Sequence, residues 1–313
     1  MSDTQSVYSA DLAGIVVGET AISDVQGEKG LLSYRGIDIN DLIGVPFLHV
    51  AWLVVFGEWP TEGEKRNLRT FMCNHARLSH PEQDLLGQVP RDLHPMLMLQ
   101  GLVPLLTLPE EETLGVGMDA EHGLFLAAKI TALIAAHHRL KQSKAILPPV
   151  PGRLFHENFL TMFHGRAPAR EQVRMLDAAQ ILQMEHSFNA GTFAGRVCAR
   201  NKAPIQSSIS ASIGPQVGRL HGGADRAARD MAMAIGSPDK AEAYVKECLA
   251  NKVKIMGMGH REYRTVDPRA KVLKPMAQEL CTEGESKVLL DTLVAVEEAC
   301  QREFGDRGKE IWA

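Results

Sequence analysis

The sequence predicts a mainly α-helical fold with a small β element near the N-terminus, and three observations predict it. Apolar residues recur at i, i+3 or i+4 and i+7 along several long segments, the spacing of one helix face. No stretch shows the sustained apolar–polar alternation of a half-buried strand. Prolines and glycines punctuate the chain between these segments, and no internal repeat is present.

The least helical part covers residues 18–41, where Ile15-Val16-Val17 and Leu31-Leu32-Ser33-Tyr34 flank the polar stretch Ser23-Asp24-Val25-Gln26-Gly27. It reads as short strands or a hairpin. Asp38-Ile39-Asn40-Asp41 offers capping residues, and Leu48, Ala51, Trp52 and Val55 then mark an amphipathic helix ending at Gly57. Pro60-Thr61-Glu62-Gly63-Glu64 is a helix start, and His94-Pro95 opens another apolar helix. Residues 119–138, rich in Ala, Leu and Ile, form a buried helix, followed by a loop at Pro148-Pro149-Val150-Pro151-Gly152.

Residues 171–186 are the clearest helix. Met175, Ala179, Leu182 and His186 share its apolar stripe, with His186 pointing inward at the C-terminal end. Leu289, Leu293, Val296 and Cys300 repeat the pattern near the end of the chain. The small residues Ser207-Ser208-Ile209-Ser210-Ala211-Ser212, with Gly214-Pro215 and Gly218, mark a boundary between two lobes. They serve either as a hinge or as a surface for close helix packing.

Composition narrows the function. The chain has 313 residues, 45% of them hydrophobic and 23% charged, so a sizeable core fits in one large or two medium domains. A net charge of −4 argues against a general nucleic-acid or anionic-membrane surface, and no apolar run reaches membrane-spanning length. The N-terminal residues lack a secretory pattern, and the five cysteines (Cys73, Cys198, Cys248, Cys281 and Cys300) are scattered without a Cys-x-x-Cys pair. A reducing cytoplasm is the expected compartment.

Two glycine-rich turns carry the candidate chemistry. One is Arg219-Leu220-His221-Gly222-Gly223-Ala224-Asp225; the other is Gly257-Met258-Gly259-His260-Arg261-Glu262-Tyr263-Arg264-Thr265-Val266-Asp267-Pro268-Arg269. Glycines let a ligand approach backbone closely, imidazoles serve acid–base work, and guanidinium groups receive carboxylate or phosphate. An anionic small-molecule substrate follows. Taken singly, each histidine is a core or surface residue satisfied by hydrogen bonds, as His186 on its stripe would be, and the arginines are a solvated turn. His221 and His260 beside glycines and Arg269 make the catalytic reading. Glu262 stands where a dinucleotide fingerprint needs its third glycine, no phosphate-loop Lys is present, and no His-Glu-x-x-His suggests a metal.

Six ordered motifs carry a resemblance to a known family. Leu32-Ser33-Tyr34-Arg35-Gly36-Ile37-Asp38, Phe56-Gly57-Glu58-Trp59-Pro60-Thr61, His94-Pro95-Met96, Glu185-His186-Ser187-Phe188-Asn189-Ala190-Gly191-Thr192-Phe193-Ala194, Leu220-His221-Gly222-Gly223-Ala224 and the 257–269 segment together resemble the citrate synthase family over essentially the whole length. The resemblance implies an almost all-helical two-domain subunit, with 1–218 as the large domain and 219–313 as the small one. It also implies a dimer or dimer-based assembly with the active site between the domains.

The implied reaction condenses acetyl-CoA with oxaloacetate to citrate and coenzyme A, the thioester being a substrate, with no metal or redox cofactor. Propionyl-CoA, giving 2-methylcitrate, is the alternative donor. Residue by residue, the resemblance makes His186 an oxaloacetate contact and His221 the donor to the thioester oxygen. It makes His260 the group that binds and protonates the keto oxygen, Arg269 a carboxylate clamp, and Arg264 the contact to coenzyme A phosphate.

The departures fall mainly toward the C-terminus. Glu310-Ile311-Trp312-Ala313 reads as the approach to the segment that carries the family's base, an aspartate, and its further arginines. Asp291 and Asp306 lie outside that motif, and neither is assigned as the base. The expectation is a shortened copy of a longer enzyme. The alternative is a natural short relative that binds substrates or partners without catalysis. Asp225-Arg226 also departs from the amide-then-acid pattern usual after His-Gly-Gly-Ala.

Overall fold

The computed structural model describes residues 16–218, 222–260, 262–306 and 310–311. Three short antiparallel strands come first: β1 (Ser23–Gln26), β2 (Leu31–Tyr34) and β3 (Ile37–Asp38), in the order β1-β2-β3, with Ser23 opposite Tyr34 and Gln26 opposite Leu31. The expected hairpin therefore forms, but β1 is the polar stretch itself. Val16 and Val17 are exposed and outside any strand. The reason is that β2 supplies the fully buried apolar face, Leu32 and Tyr34, while β1 pairs to it and adds only Val25.

Helices follow: α1 (Ile39–Leu42), α2 (Phe47–Phe56), α3 (Glu62–His75), α4 (His80–Gly87), α5 (Pro95–Leu102), α6 (Met118–Lys141) and α7 (Phe155–His164). Asp38 caps the short α1, a helix separate from α2. Thr61 and Glu64 close a capping box on α3, and the His94 imidazole accepts from Met96 N at the start of α5. The helix ending at Gly57, which sits at φ 83, buries more than the single stripe expected. Leu48, Val50, Trp52 and Leu53 are covered while Val55 is 48% exposed, because α2 is sandwiched between two clusters.

The first core lies around α6, whose Leu126, Ala128, Leu133, Ala135 and Ala136 meet Leu68, Met72, Met98 and Leu99 from α3 and α5. Two buried charges on α6 find partners. Lys129 Nζ reaches Glu82 at 2.7 Å, and Glu121 accepts from the Thr113 and Leu114 amides at 2.9 and 2.7 Å.

The remaining helices are α8 (Arg170–Leu182), α9 (Ala190–Arg200), α10 (Ile205–Gln216), α11 (Gly223–Ile235), α12 (Ala241–Ala250), α13 (Pro268–Leu280) and α14 (Gly284–Gly305). A second core is drawn from Met231, Ile235, Val245, Cys248, Ile255, Val296, Ala299 and Cys300 on α11, α12, α14 and the segment after α12. A third joins β2, α1 and α2 to Ile181 and Leu182 of α8, with Val272 and Leu273 of α13 packed against it. This third cluster positions the site, since it brings α13 beside the end of α8.

The small residues of 207–212 form a packing surface. They lie inside α10, which is packed tightly on α9: a Cβ on Gly195 would collide with Ser212 Oγ and stand 3.2 Å from Ser208 O, and one on Gly191 would stand 2.9 Å from Ser212 O. Replacing Gly195 with Val is expected to cost about 1–3 kcal/mol through overpacking, read as a lower denaturation midpoint at unchanged slope. An unchanged midpoint would show that the α9–α10 contact yields freely.

Candidate active site

His186 does not end the α8 stripe as its spacing predicts. The helix stops at Leu182, with Gln183 as its cap, and His186 stands in the turn that leads to α9. The cause is tertiary. The Tyr34 hydroxyl donates to Leu182 O at 3.2 Å and accepts from Glu185 N at 3.4 Å, so β2 takes over the helix end. The Glu185 carboxylate accepts from Ser23 Oγ at 3.0 Å and from Ser187 N at 2.6 Å, and Ser187 N also reaches Ser23 Oγ at 3.0 Å. These bonds hold Ser187 at φ 57, the left-handed region, and aim His186 away from the helix axis. Asn189 then caps α9, accepting from Thr192 N.

The second contributor is the loop before α13. Gly257 and Gly259 take φ 84 and 79, which lets the chain fold back at His260. His260 Nδ1 accepts from the amides of Glu262 and Tyr263 at 3.0 and 3.2 Å. A nitrogen accepting two amides carries no proton, so the neutral ring bears its proton on Nε2. Asp267 caps α13 by accepting from Arg269 N at 2.9 Å, Pro268 occupies the first helical position, and the Asp267 carboxylate takes Arg269 Nε and Nη2 at 2.9 and 2.6 Å. Arg269 Nη2 lies 3.4 Å from His260 Nε2.

The N-terminal hairpin shapes this loop. Gly27 O accepts from Arg264 N at 3.1 Å, and a Cβ on Gly27 would strike the Glu262 carbonyl oxygen. At Gly30, with φ 63, a Cβ would stand 2.6 Å from the Thr265 methyl. Tyr263 is thereby turned inward, 3% exposed, with its hydroxyl 3.1 Å from His186 Nε2. The His186 and His260 ring centres are 5.7 Å apart, and each lies within 5.6 Å of the Tyr263 ring. The Arg269 guanidinium carbon stands 5.7 Å over that ring.

The electrostatics favour neutral imidazoles beside a fixed cation. Burial, then Arg269 and His260, lower His186 to about 4. Burial and Arg269 also lower His260. Burial pushes the Tyr34 phenol up to about 12 and raises Tyr263 as well, so both stay protonated. Burial works to raise Asp267, but the hydrogen bond and charge of Arg269 overcome it and hold the carboxyl below its usual range. The result is a charged clamp and two uncharged rings, suited to an anion that also carries a carbonyl.

His186, His260 and Arg269 are thus brought together. Arg264 is exposed, tied by its backbone to Gly27. His221 lies outside the described residues. Tyr263, Asp267 and Glu185 had no assigned role in the sequence reading. Asp267-Pro268 carried a readable signal as a helix cap, whereas Glu185 and Tyr263 act through partners far along the chain. Among the described residues, no group of three or more His, Cys, Asp or Glu side chains could hold a metal ion.

Comparison with known proteins places the chain among relatives. A family profile described as citrate synthase, C-terminal domain, matches residues 11–313. A citrate synthase of Synechocystis sp. is 30% identical, over 98% of this chain and 78% of the relative. A 2-methylcitrate synthase of Mycobacterium tuberculosis is 32% identical, over 90% and 72%. Among solved structures, the citrate synthase of Thermotoga maritima superposes with a TM-score of 0.85 at 30% identity, over 98% of this chain and 81% of that one. A Thermoplasma acidophilum citrate synthase, solved as a ternary complex with carboxymethyl coenzyme A and oxaloacetate, gives 0.84 at 26% identity, over 96% and 80%.

Two tests follow from the geometry. Because the folded chain protonates His186 only near 4 while an unfolded histidine does so near 6.5, the unfolded state binds more protons between these values. Stability is therefore expected to fall as pH drops from about 6.5 to about 4, and His186→Gln should remove part of that slope in denaturant titrations. Gly27→Ala is expected to cost about 1–3 kcal/mol and to shift the His260 ring resonances, since its methyl must displace the loop backbone. Unshifted His260 resonances would separate the hairpin from the site.

Proposed function

This chain belongs to the citrate synthase family, and on that premise we propose that it is an acyltransferase condensing acetyl-CoA with oxaloacetate to give citrate and coenzyme A. The observation that carries the reading is the meeting of His260, with its proton held on Nε2, with His186 and the Arg269 clamp in one site. Arg269 receives an oxaloacetate carboxylate and His186 a second contact. His260 Nε2–H donates to the keto oxygen and gives up its proton as the carbon–carbon bond forms. His221 is the proposed donor to the thioester oxygen during enolisation, the methyl proton passing to a carboxylate base that is not assigned among the described residues, and Arg264 is the proposed contact to coenzyme A phosphate. Water then cleaves the citryl thioester, releasing citrate and the free thiol. The steps are proton transfers and acyl chemistry, with the coenzyme A thioester as substrate.

Two acidic groups of this site are already engaged, and the acid on α14 is paired elsewhere. Asp267 is engaged by Arg269 and Glu185 by Ser23 and Ser187, while Asp291 is paired with Lys287 at 2.7 Å on α14. The site as described is therefore the half that holds and polarises the keto acid.

A second reading, propionyl-CoA as donor, is favoured by one observation: 2-methylcitrate synthases match this chain at 32% identity, as well as citrate synthases do. The proposal also takes residues 1–218 and 219–313 as two domains, which the separate core from Met231 to Cys300 supports. It takes the unit to be a homodimer or larger, supported by exposed Leu97, Leu105 and Val197 on segments that pack against α10. No described helix is long and apolar enough to cross a membrane, and five free thiols support a cytoplasmic setting.

The test follows free thiol release from acetyl-CoA and propionyl-CoA in parallel, with oxaloacetate present. Oxaloacetate-dependent release supports the reading, and the faster donor decides between the two products. Tight oxaloacetate binding without release would instead make the protein a binder. His260→Ala is expected to lower kcat on the order of a hundredfold or more, through lost polarisation of the carbonyl. Arg269→Lys is expected to raise KM for oxaloacetate roughly tenfold, since Lys cannot keep the two-point contact to Asp267 and still present further donors to a carboxylate. Near-normal kinetics in either variant would remove the assigned role.

A further inference from the structure

Tyr263 touches three residues of the site by three different means. Its amide donates to His260 Nδ1 at 3.2 Å, its hydroxyl lies 3.1 Å from His186 Nε2, and its ring face lies under the Arg269 guanidinium. It is also buried, so the hydroxyl has little water to bond instead.

A neutral imidazole has one N–H donor and one acceptor, and which nitrogen carries the proton is set by the partner of the other. An α-keto dicarboxylate offers acceptors only. Both rings must therefore turn a donor toward it. For His260 the two backbone amides achieve this by occupying Nδ1. For His186, the side-chain partner among the described residues is the Tyr263 hydroxyl, at Nε2. A buried hydroxyl needs an acceptor for its proton, and His186 Nε2 stands 3.1 Å from this one, so we take the phenol to donate and the ring to accept. That leaves the His186 proton on Nδ1.

We propose that Tyr263 is the positioning residue of the keto-acid site, fixing His186 as the Nδ1–H tautomer through its hydroxyl while its amide helps fix His260 as the Nε2–H tautomer. The inference deepens the functional reading above and rests on it for the identity of the ligand. Asp267 does the corresponding work for Arg269, orienting the guanidinium by its two-point contact. The keto-acid receptor is thus three groups, each aimed by a neighbour in the segment from Glu262 to Arg269.

The experiment compares Tyr263→Phe with the unaltered protein, which removes one oxygen and keeps the ring. Nitrogen-15 histidine spectra report the tautomers without any substrate, and oxaloacetate titration by calorimetry reports the consequence. In the unaltered protein, His186 should show a protonated Nδ1 and His260 a protonated Nε2. In the variant, His186 should shift toward Nε2–H and titrate at higher pH, His260 should keep its tautomer, and oxaloacetate Kd should rise about tenfold with little change in melting temperature. An unchanged His186 tautomer overturns the proposal. So does a shifted tautomer with unchanged oxaloacetate affinity. Failure of the unaltered protein to bind oxaloacetate would overturn the functional reading, while the spectra would still decide the part played by Tyr263.

Discussion

The site depends on one close contact between backbones, that of Gly27 with the segment from Glu262 to Arg264. With no side chain at Gly27, the hairpin turn lies flat on the loop and takes the Arg264 amide. That contact sets the course of the chain between His260 and Asp267. The amides of Glu262 and Tyr263 then meet the His260 ring, Tyr263 is driven into the interior, and Asp267 arrives where it caps α13 and engages Arg269. The same hairpin braces the other side of the site, where Ser23 and Tyr34 hold the turn carrying His186. A three-stranded sheet too small to be a layer of the fold is its alignment device.

Electrostatically, the site separates charge from proton donation. Its cation is a guanidinium that stays charged at any accessible pH, locked to a carboxylate that remains ionised despite burial. Its imidazoles are kept uncharged by burial and by that same cation. Fixed positive charge thus attracts the anion, and neutral N–H groups are left to act on the carbonyl. Mutual repulsion between Arg269 and a protonated histidine would otherwise loosen the cluster.

Much of this was legible in the sequence where the signals were local. The Thr61 and Glu64 capping box, the Gly57 helix end, the His94-Pro95 start and the strand at Leu31–Tyr34 depend on residues within a few positions of one another. The mainly helical class and the grouping of His186, His260 and Arg269 were readable too, the latter through the ordered motifs. What was not legible depends on distant partners. The periodicity of α8 ran on to His186 because nothing nearby announces that the Tyr34 hydroxyl ends the helix at Leu182. A polar β1 gives no alternation to detect, since its place is fixed by pairing with β2. Glu185 reads as an ordinary surface acid until Ser23, 162 residues away, is brought to its carboxylate.

The bracing of the His186 turn by the hairpin also has a consequence for the order in which the protein matures. Ser23 and Ser187 are separated by 164 residues, and the turn after β1 contacts a loop still farther along the chain. Contacts of such long sequence separation carry a large loop-closure cost and form after local helices have paired. During synthesis, the hairpin leaves the ribosome long before its partners exist. A nascent chain can therefore assemble the α6-centred core while its ligand site remains unformed, and competence to bind becomes a late checkpoint of folding.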